Sequence, residues 1–202
     1  MGKKSKQKQE DKLEQKVEKM EQNVSALEIA QQLYSKAEDI AKQEERRFNE
    51  SLTKNKEGDW YMTMLKKGTA TDKISALAML VQKEPKSTLP YLMQLLGLTK
   101  KSNRKMAEQA IGALKDLFMR DFMIPEERKD QRLCVFTKNP LILHKREACT
   151  AEDLHNAYYE HCVREIIRDF VTTVLQLLSH GDLEFYRMNA LSYLREMLPF
   201  SR

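Results

Sequence analysis

The sequence is poor in the residues that build sheets and tight turns. It has only six glycines and five prolines in 202 residues, no Asn-Gly pair, and no alternating run of Val, Ile and Thr. Because hairpins depend on such turn pairs and strands on β-branched residues, these absences exclude a fold built mainly of sheet. Lys, Glu, Leu, Ala and Gln are abundant instead, and their side chains lose little rotamer freedom on a helix. We therefore predict an all-α chain.

The sequence also has few residues of the kind that hold metals or carry out catalysis. Its three cysteines form no Cys-x-x-Cys pair, which indicates free thiols in a reducing compartment. The four histidines lack the spacing of a helical ligand pair, and no glycine-rich phosphate loop is present. We predict no metal, no cofactor, no small-molecule substrate and no enzymatic activity. These cysteines and histidines are Cys134, Cys149, Cys162, His144, His155, His161 and His180.

Long apolar runs are missing as well. No run is long enough to span a bilayer, and no signal-peptide core follows the start. The opening "MGKKSK" places Lys6 where a myristoylation signal requires Ser or Thr. We therefore predict no association with a membrane.

Positive charge is in modest excess, with a net charge of +5 and a pI of about 9.0, which favours polyanionic partners. Near the start, Lys3, Lys4 and Lys6 resemble a nuclear-import signal, which predicts a location in the nucleus; the alternative is a solubilising tail. Two further clusters are candidate phosphate-binding sites, because such binding needs only suitably placed Lys and Arg. The alternative interpretation of both is a solvated loop. The first cluster comprises Lys100, Lys101, Arg104 and Lys105, and the second Arg128, Lys129, Arg132, Lys138, Lys145 and Arg146.

The chain divides into three parts by composition. Residues 1–24 are nearly all Lys, Gln and Glu, and we predict a disordered basic arm because little apolar surface offsets the entropy of ordering. Residues 25–57 contain an amphipathic helix from Ser25 to about Phe48 and most of a polar linker at 51–59. Residues 58–202 carry periodic apolar stripes, interrupted by an irregular insertion at 123–149.

Helix boundaries in the third part follow from capping residues. Gly68 is expected to end a short apolar element, and Thr71 or Asp72 to cap the next helix, which Pro85 stops. Thr88 is expected to cap a helix that ends at Gly97. Further helices are predicted over 104–123, from Thr150 to about Ser179 with Asp153 in a capping box, and from Asp182 to Leu198.

An apolar pattern recurs along these helices. The segment "ISALAMLV" (74–81) matches "IGALKDLF" (111–118) at an offset of 37 residues, and "MNALSYLR" (188–195) repeats its Ala-Leu-x-x-Leu a further 77 residues on. The period of 37 to 39 residues is close to that of HEAT repeats, in which helix pairs stack into a solenoid. The alternative is the ordinary pattern of amphipathic helices. We favour a HEAT-like α-α superhelix.

Four segments, in this order, resemble the nucleolar-complex/CCAAT-binding-factor family, in its branch of large-subunit ribosome-assembly factors. They are "GTATDKISALAMLVQKEP" (68–85), "QAIGALKDLFMRDFMIPEERK" (109–129), Phe-x-Lys-x-Pro (136–140) and "YYEHCVREIIRDFVTTVLQLLSHGDLEFYRMNAL" (158–191). The resemblance runs from about Trp60 to Leu198, and we find no comparable match before residue 58. Family members are much longer, so only their N-terminal part is represented, and the chain is expected to be a fragment or a truncated relative.

The resemblance implies a nucleolar helical-repeat scaffold without catalysis. Such a scaffold would bind precursor ribosomal RNA, other nucleolar-complex proteins and 60S assembly proteins. The alternative is a nuclear protein–protein adaptor or transcription co-regulator that makes no direct contact with RNA. The sequence alone does not separate these two functions.

Overall fold

The computed structural model describes residues 2–100, 103–122, 133–139, 142, 148–180 and 184–197, with the backbone alone for 2–27, 121–122, 177–180, 185–186 and 197. All regular elements of these residues are helical, which confirms the all-α prediction. The α-helices are α1 (Gly2–Thr53), α2 (Lys56–Lys67), α3 (Ala70–Lys83), α4 (Leu89–Thr99), α5 (Arg104–Leu117), α6 (Ala151–His180) and α7 (Glu184–Met197). Two 3-10 turns (Pro85–Ser87 and Phe136–Lys138) and a π-helical turn (Phe118–Phe122) complete the elements.

Helix α1 is longer than predicted at both ends. It runs without a break from Gly2 to Thr53, so the predicted start at Ser25 and end at Phe48 are wrong, and the residues of the predicted disordered arm are helical from Gly2 onward. Between Lys3 and Thr53 there is neither Gly nor Pro, and Lys, Gln and Glu are strong helix formers. The functional division into arm, helix and repeat segment stays a prediction.

The turn between α1 and α2 is much shorter than the predicted linker at 51–59. Helix α2 begins at Lys56, because the Asn55 side chain caps it by accepting a hydrogen bond of 2.6 Å from the Gly58 N–H. Gly58 thereby lies directly against the end of α1. The predicted C-cap at Gly68 is confirmed, and its N–H donates to the Met64 carbonyl.

The caps of α3 and α4 differ from the prediction. Thr69 begins α3 with a capping box, in which Thr69 Oγ1 accepts from the Asp72 N–H (3.3 Å) and the Asp72 carboxylate accepts from the Thr69 N–H (2.9 Å). The predicted cap at Thr71 or Asp72 is therefore displaced by two or three residues. Thr88 precedes α4 as predicted, but its hydroxyl donates a hydrogen bond to the Glu84 carbonyl and does not cap the helix. Gly97 lies inside α4, which continues to Thr99.

The largest hydrophobic core joins α3, α4, α5 and α6, with Ala190 contributed by α7. The apolar face of α5 and of the residue after it is buried throughout: Ala110, Ile111, Leu114, Leu117 and Phe118. A second cluster packs α1 on α6 through Leu33, Ala37, Leu154 and Ala157, together with Phe136 and Ile142. A third cluster holds α1, α2 and α3 together around Leu52, Tyr61 and Leu80.

The three copies of the apolar pattern lie on α3, α5 and α7. In the first two copies the leading Ile and Leu are buried in the main core, and α3 packs against both α4 and α5. In the third copy Met188 and Leu191 occupy these positions, and they are 58% and 50% exposed. The pattern therefore marks packed helices in two copies and an outward-facing stripe in the third.

Candidate nucleic-acid interface

Four helix ends meet on one side of the fold. Thr71, in the first turn of α3, donates a hydrogen bond of 3.3 Å to Gln109 of α5. A shallow groove is lined by residues from the end of α2, the start of α3 and the end of α4: Leu65, Lys73, Leu77, Gln94, Gly97 and Leu98. The end of α2, the start of α3 and the end of α4 therefore border one groove, and α5 lies beside the start of α3.

Three predicted cations lie at the end of α4 and the start of α5. Lys100 follows α4, while Arg104 and Lys105 occupy the first turn of α5, and all three are exposed. Asn103 caps α5 by accepting from the Met106 N–H at 3.2 Å, and the first turn contains no acidic residue. The positive end of the α5 dipole thus adds to the side-chain charges, an arrangement that favours anions.

The structure adds cations that local sequence patterns did not indicate. Lys66 and Lys67 are exposed in the last turn of α2, and Lys73 lines the groove. They join the predicted cluster because successive helices joined by short turns run back and forth, so the end of α2 lies beside the start of α3 and the end of α4. We call the combined set the basic edge: Lys66, Lys67, Lys73, Lys100, Arg104 and Lys105.

Few opposing charges interrupt the basic edge. Hydrogen bonds from the Thr69 hydroxyl and backbone hold the pKa of Asp72 below its ordinary value, so this carboxylate remains charged and belongs to the cap. Within the residues that the structure describes, no ion pair is seen at Lys67, Lys100 or Lys105. At the opposite ends of the same helices the pattern differs, since Lys83 pairs with Glu57 at 2.7 Å.

Several predicted site residues lie outside the part of the chain that is described. These residues are one member of the first cluster and every member of the second cluster except Lys138: Lys101, Arg128, Lys129, Arg132, Lys145 and Arg146. The insertion itself, residues 123–149, is described only at 133–139, 142 and 148–149, where Lys138 is exposed. Lys3, Lys4 and Lys6 lie on the α1 backbone, and their side chains are outside the description.

Polar groups also meet between α1 and α6. The rings of Tyr34 and Tyr158 lie 5.4 Å apart, and those of Tyr34 and His161 5.7 Å apart. Burial raises the pKa of Tyr34, Tyr158 and the Cys162 thiol above their ordinary values. A thiol with a raised pKa stays protonated at neutral pH and is a poor nucleophile. This cluster therefore packs α1 against α6 and offers no activated thiol.

Two histidines in this region make stability depend on pH. Burial lowers the pKa of both His155 and His161. The nearby positive charge of Lys86 acts in the same direction on His155, and that of Arg164 does so on His161. Because the unfolded chain binds protons more readily, the free energy of unfolding should fall as pH drops from about 7.5 to 5.5. Urea unfolding at several pH values measures this slope. The double variant His155→Gln/His161→Gln should show a clearly smaller slope, and an unchanged slope would contradict the assignment.

The described side chains include no group of three or more His, Cys, Asp or Glu residues placed to hold a metal ion. Across the same part of the chain, none of the helices combines the length and apolar character needed to cross a bilayer. All three cysteines are free, as predicted.

Known proteins resemble the chain over most of its length. CCAAT/enhancer-binding protein zeta of Mus musculus is 29% identical over 84% of the chain, and nucleolar complex protein 1 of Drosophila melanogaster is 32% identical over 65%. Ribosome biogenesis protein NOC1 of Chaetomium thermophilum is 30% identical over 48% of the chain. The aligned parts are 16%, 12% and 9% of these relatives, so the chain spans only about a sixth of their length or less. No protein-family model matches the chain.

The alignment with the mouse protein corrects the expectation that no match extends before residue 58. Residues 58–202 make up less than three quarters of the chain, so a match that covers 84% also includes part of α1. The predicted location in the nucleus and nucleolus agrees with the names of these relatives. Over part of its length, the chain is thus similar to proteins named for the nucleolar complex and for CCAAT/enhancer binding, in agreement with the resemblance seen in its sequence blocks.

Proposed function

We propose that the chain acts as a non-catalytic, HEAT-like helical scaffold in assembly of the large (60S) ribosomal subunit. In this function its basic edge binds phosphates of precursor ribosomal RNA, while other surfaces contact nucleolar-complex and 60S assembly proteins. The proposal is supported by the exposed cations at neighbouring ends of α2, α4 and α5. A relative whose name assigns it to ribosome biogenesis supports the biological context.

The physical basis of RNA binding is electrostatic. Each phosphate that a Lys or Arg neutralises releases condensed counterions, so binding weakens as salt rises. Cations on rigid helix ends lose little freedom when they bind, and the α5 N-terminus adds a fixed partial charge. This surface has no base-reading element of its own on the described residues, so it would recognise the RNA backbone.

The binding prediction concerns a triple charge reversal, Lys67→Glu/Lys100→Glu/Lys105→Glu. The affinity of this variant for a single-stranded ribosomal RNA segment should be about 10- to 100-fold lower than that of the unaltered chain. The slope of log affinity against log salt concentration should become smaller by about 2, because each phosphate contact contributes about 0.7 to that slope. Fluorescence anisotropy at several salt concentrations measures both quantities. These three residues are chosen because reversing them breaks no ion pair of the described fold.

A matched control separates the basic edge from net charge. The triple variant Lys36→Glu/Arg46→Glu/Lys54→Glu changes exposed α1 and turn residues by the same total charge. Equal losses in both variants would show that only net charge matters. If the unaltered chain shows no binding at low salt, direct RNA contact is wrong.

The second candidate function is a nuclear protein adaptor or transcription co-regulator without RNA contact. The exposed Met188 and Leu191 of α7 favour it, because a stripe of this kind on a helix is suited to a protein partner. Co-purification of the tagged chain from nuclei distinguishes the two functions. Recovery of large-subunit precursors supports the scaffold, whereas their absence contradicts it.

A further inference from the structure

The first half of α1 carries a seven-residue apolar repeat. Leu13, Val17, Met20, Val24 and Leu27 are spaced alternately by four and three residues. Because α1 is one unbroken helix over this stretch, such spacing places the five positions along a single stripe. In heptad terms, Val17 and Val24 occupy a positions, and the other three occupy d positions.

The described side chains of α1 are mostly exposed just before Leu33. Glu28, Ile29 and Gln31 are exposed, whereas Leu33 is buried. On α6, the side that meets Tyr34 through Tyr158 and His161 continues toward the C-terminus with residues that are exposed: Arg168, Thr172 and Leu175. On the side chains that the structure describes, the contact of α6 with α1 therefore ends near Leu33, just beyond the C-terminal end of the stripe, which makes the stripe a candidate for contact with another partner.

The residue types in the stripe indicate what that partner is. Val at both a positions, combined with Leu at two of the three d positions (the third is Met20), favours two parallel strands over three or four. A parallel pair also brings each residue of the stripe opposite its own counterpart. A second copy of the same segment meets both requirements.

The flanking charges select the same arrangement. The e positions are all acidic (Glu14, Glu21 and Glu28), and the g positions are Gln9, Lys16 and Asn23. In a parallel pair each g position faces the e position five residues further on in the other copy, so Lys16 meets Glu21 and no like charges face each other. An antiparallel pair would place the glutamates against one another, which is unfavourable.

We propose that residues 13–27 of α1 form a short, parallel, two-stranded coiled coil with the same segment of a second copy. The segment is only about two heptads long, so the dimer should be weak and should depend on concentration. Short helices are marginal in isolation because nucleation is costly, but here the packed part of α1 already provides the nucleus. This inference is independent of RNA binding.

Sedimentation velocity of the full chain from low micromolar to submillimolar concentration tests the proposal. The unaltered chain should shift from monomer to dimer, and Val17→Lys/Val24→Lys should stay monomeric over the whole range. The matched control is Gln15→Lys/Gln22→Lys, which adds the same charge at the two f positions and should dimerise like the unaltered chain. A chain that is monomeric throughout, or a dimer that survives the valine changes, would overturn the proposal.

Orientation has its own test. Under mild oxidation Val17→Cys should form an intermolecular disulfide between the two new cysteines far faster than Gln15→Cys, because a positions face each other in a parallel pair. Mapping by mass spectrometry excludes bonds to the native cysteines. Equal rates for the two variants would contradict a parallel seam at residue 17.

Discussion

Replacing Phe170 by alanine is expected to lower the free energy of unfolding by about 3–5 kcal/mol. Phe170 of α6 is fully buried in the main core, and its ring meets that of Phe118 edge to face at 5.1 Å between centroids. The change removes the buried apolar surface of the ring, its aromatic contact with Phe118 and its packing in the main core. Because natural domains are stable by only about 5–15 kcal/mol, the loss is a large share of the total.

Urea unfolding followed by circular dichroism measures this loss as a lower midpoint with an unchanged slope. The matched control is Met93→Ala on α4, where the side chain is 60% exposed and the change should stay within about 0.5 kcal/mol. A Phe170→Ala loss as small as that of the control would show that α6 is not packed on the core as described.

Gly58→Ala is expected to destabilise the chain by about 1–3 kcal/mol, opposite in sign to the usual effect in a helix. A Cβ added at Gly58 would lie 1.9 Å from the Leu52 carbonyl oxygen and 2.6 Å from Leu52 Cα. Both are backbone atoms, so no rotamer change relieves the clash, and the corner between α1 and α2 has to open. Opening it would also weaken the contacts of Leu52 with Tyr61 and Leu80.

Gly97→Ala provides the opposite expectation within the same chain. Gly97 lies inside α4, and a Cβ there meets no atom within 4 Å. Alanine should stabilise α4 by about 0.5–1 kcal/mol, because it restricts the unfolded chain and favours the helix. Thermal unfolding of the two variants in parallel gives the comparison. If both substitutions raise the melting temperature, the α1–α2 corner is looser than described.

Helix interiors were predictable because their signals are local and repeated. The buried face of α5 follows from the 3.6-residue period alone, and the capping box between Thr150 and Asp153 is present with both hydrogen bonds at 3.1 Å. Several residues contribute to each such pattern, so a single uninformative position does not obscure it.

Boundaries near polar segments were less predictable. The stretch at 51–59 is polar enough for a linker, yet Asn55 alone breaks the helix because its side chain caps α2. At the start of α3, Thr69 and Thr71 have the same capping chemistry, and Asp72 selects Thr69 by lying three residues after it. Composition describes neither choice, because one or two capping hydrogen bonds decide each.

The candidate site was only half predictable for a different reason. Lys100, Arg104 and Lys105 are close in sequence, so a charge pattern reveals them. Lys66, Lys67 and Lys73 join them only through the antiparallel course of α2, α3 and α4. Knowledge of which helix ends are neighbours comes from tertiary packing, which no local window contains.

The unbroken course of α1 also fixes a distance. Thirty residues separate Lys3 from Leu33, and at 1.5 Å per residue the helix spans about 45 Å over them. This exceeds five Debye lengths at physiological ionic strength, where the Debye length is about 8 Å. The lysines at the start of α1 are thus electrostatically screened from the packed helices. A nuclear-import carrier bound at these lysines and a polyanion bound at the packed helices would therefore not affect each other's binding through charge.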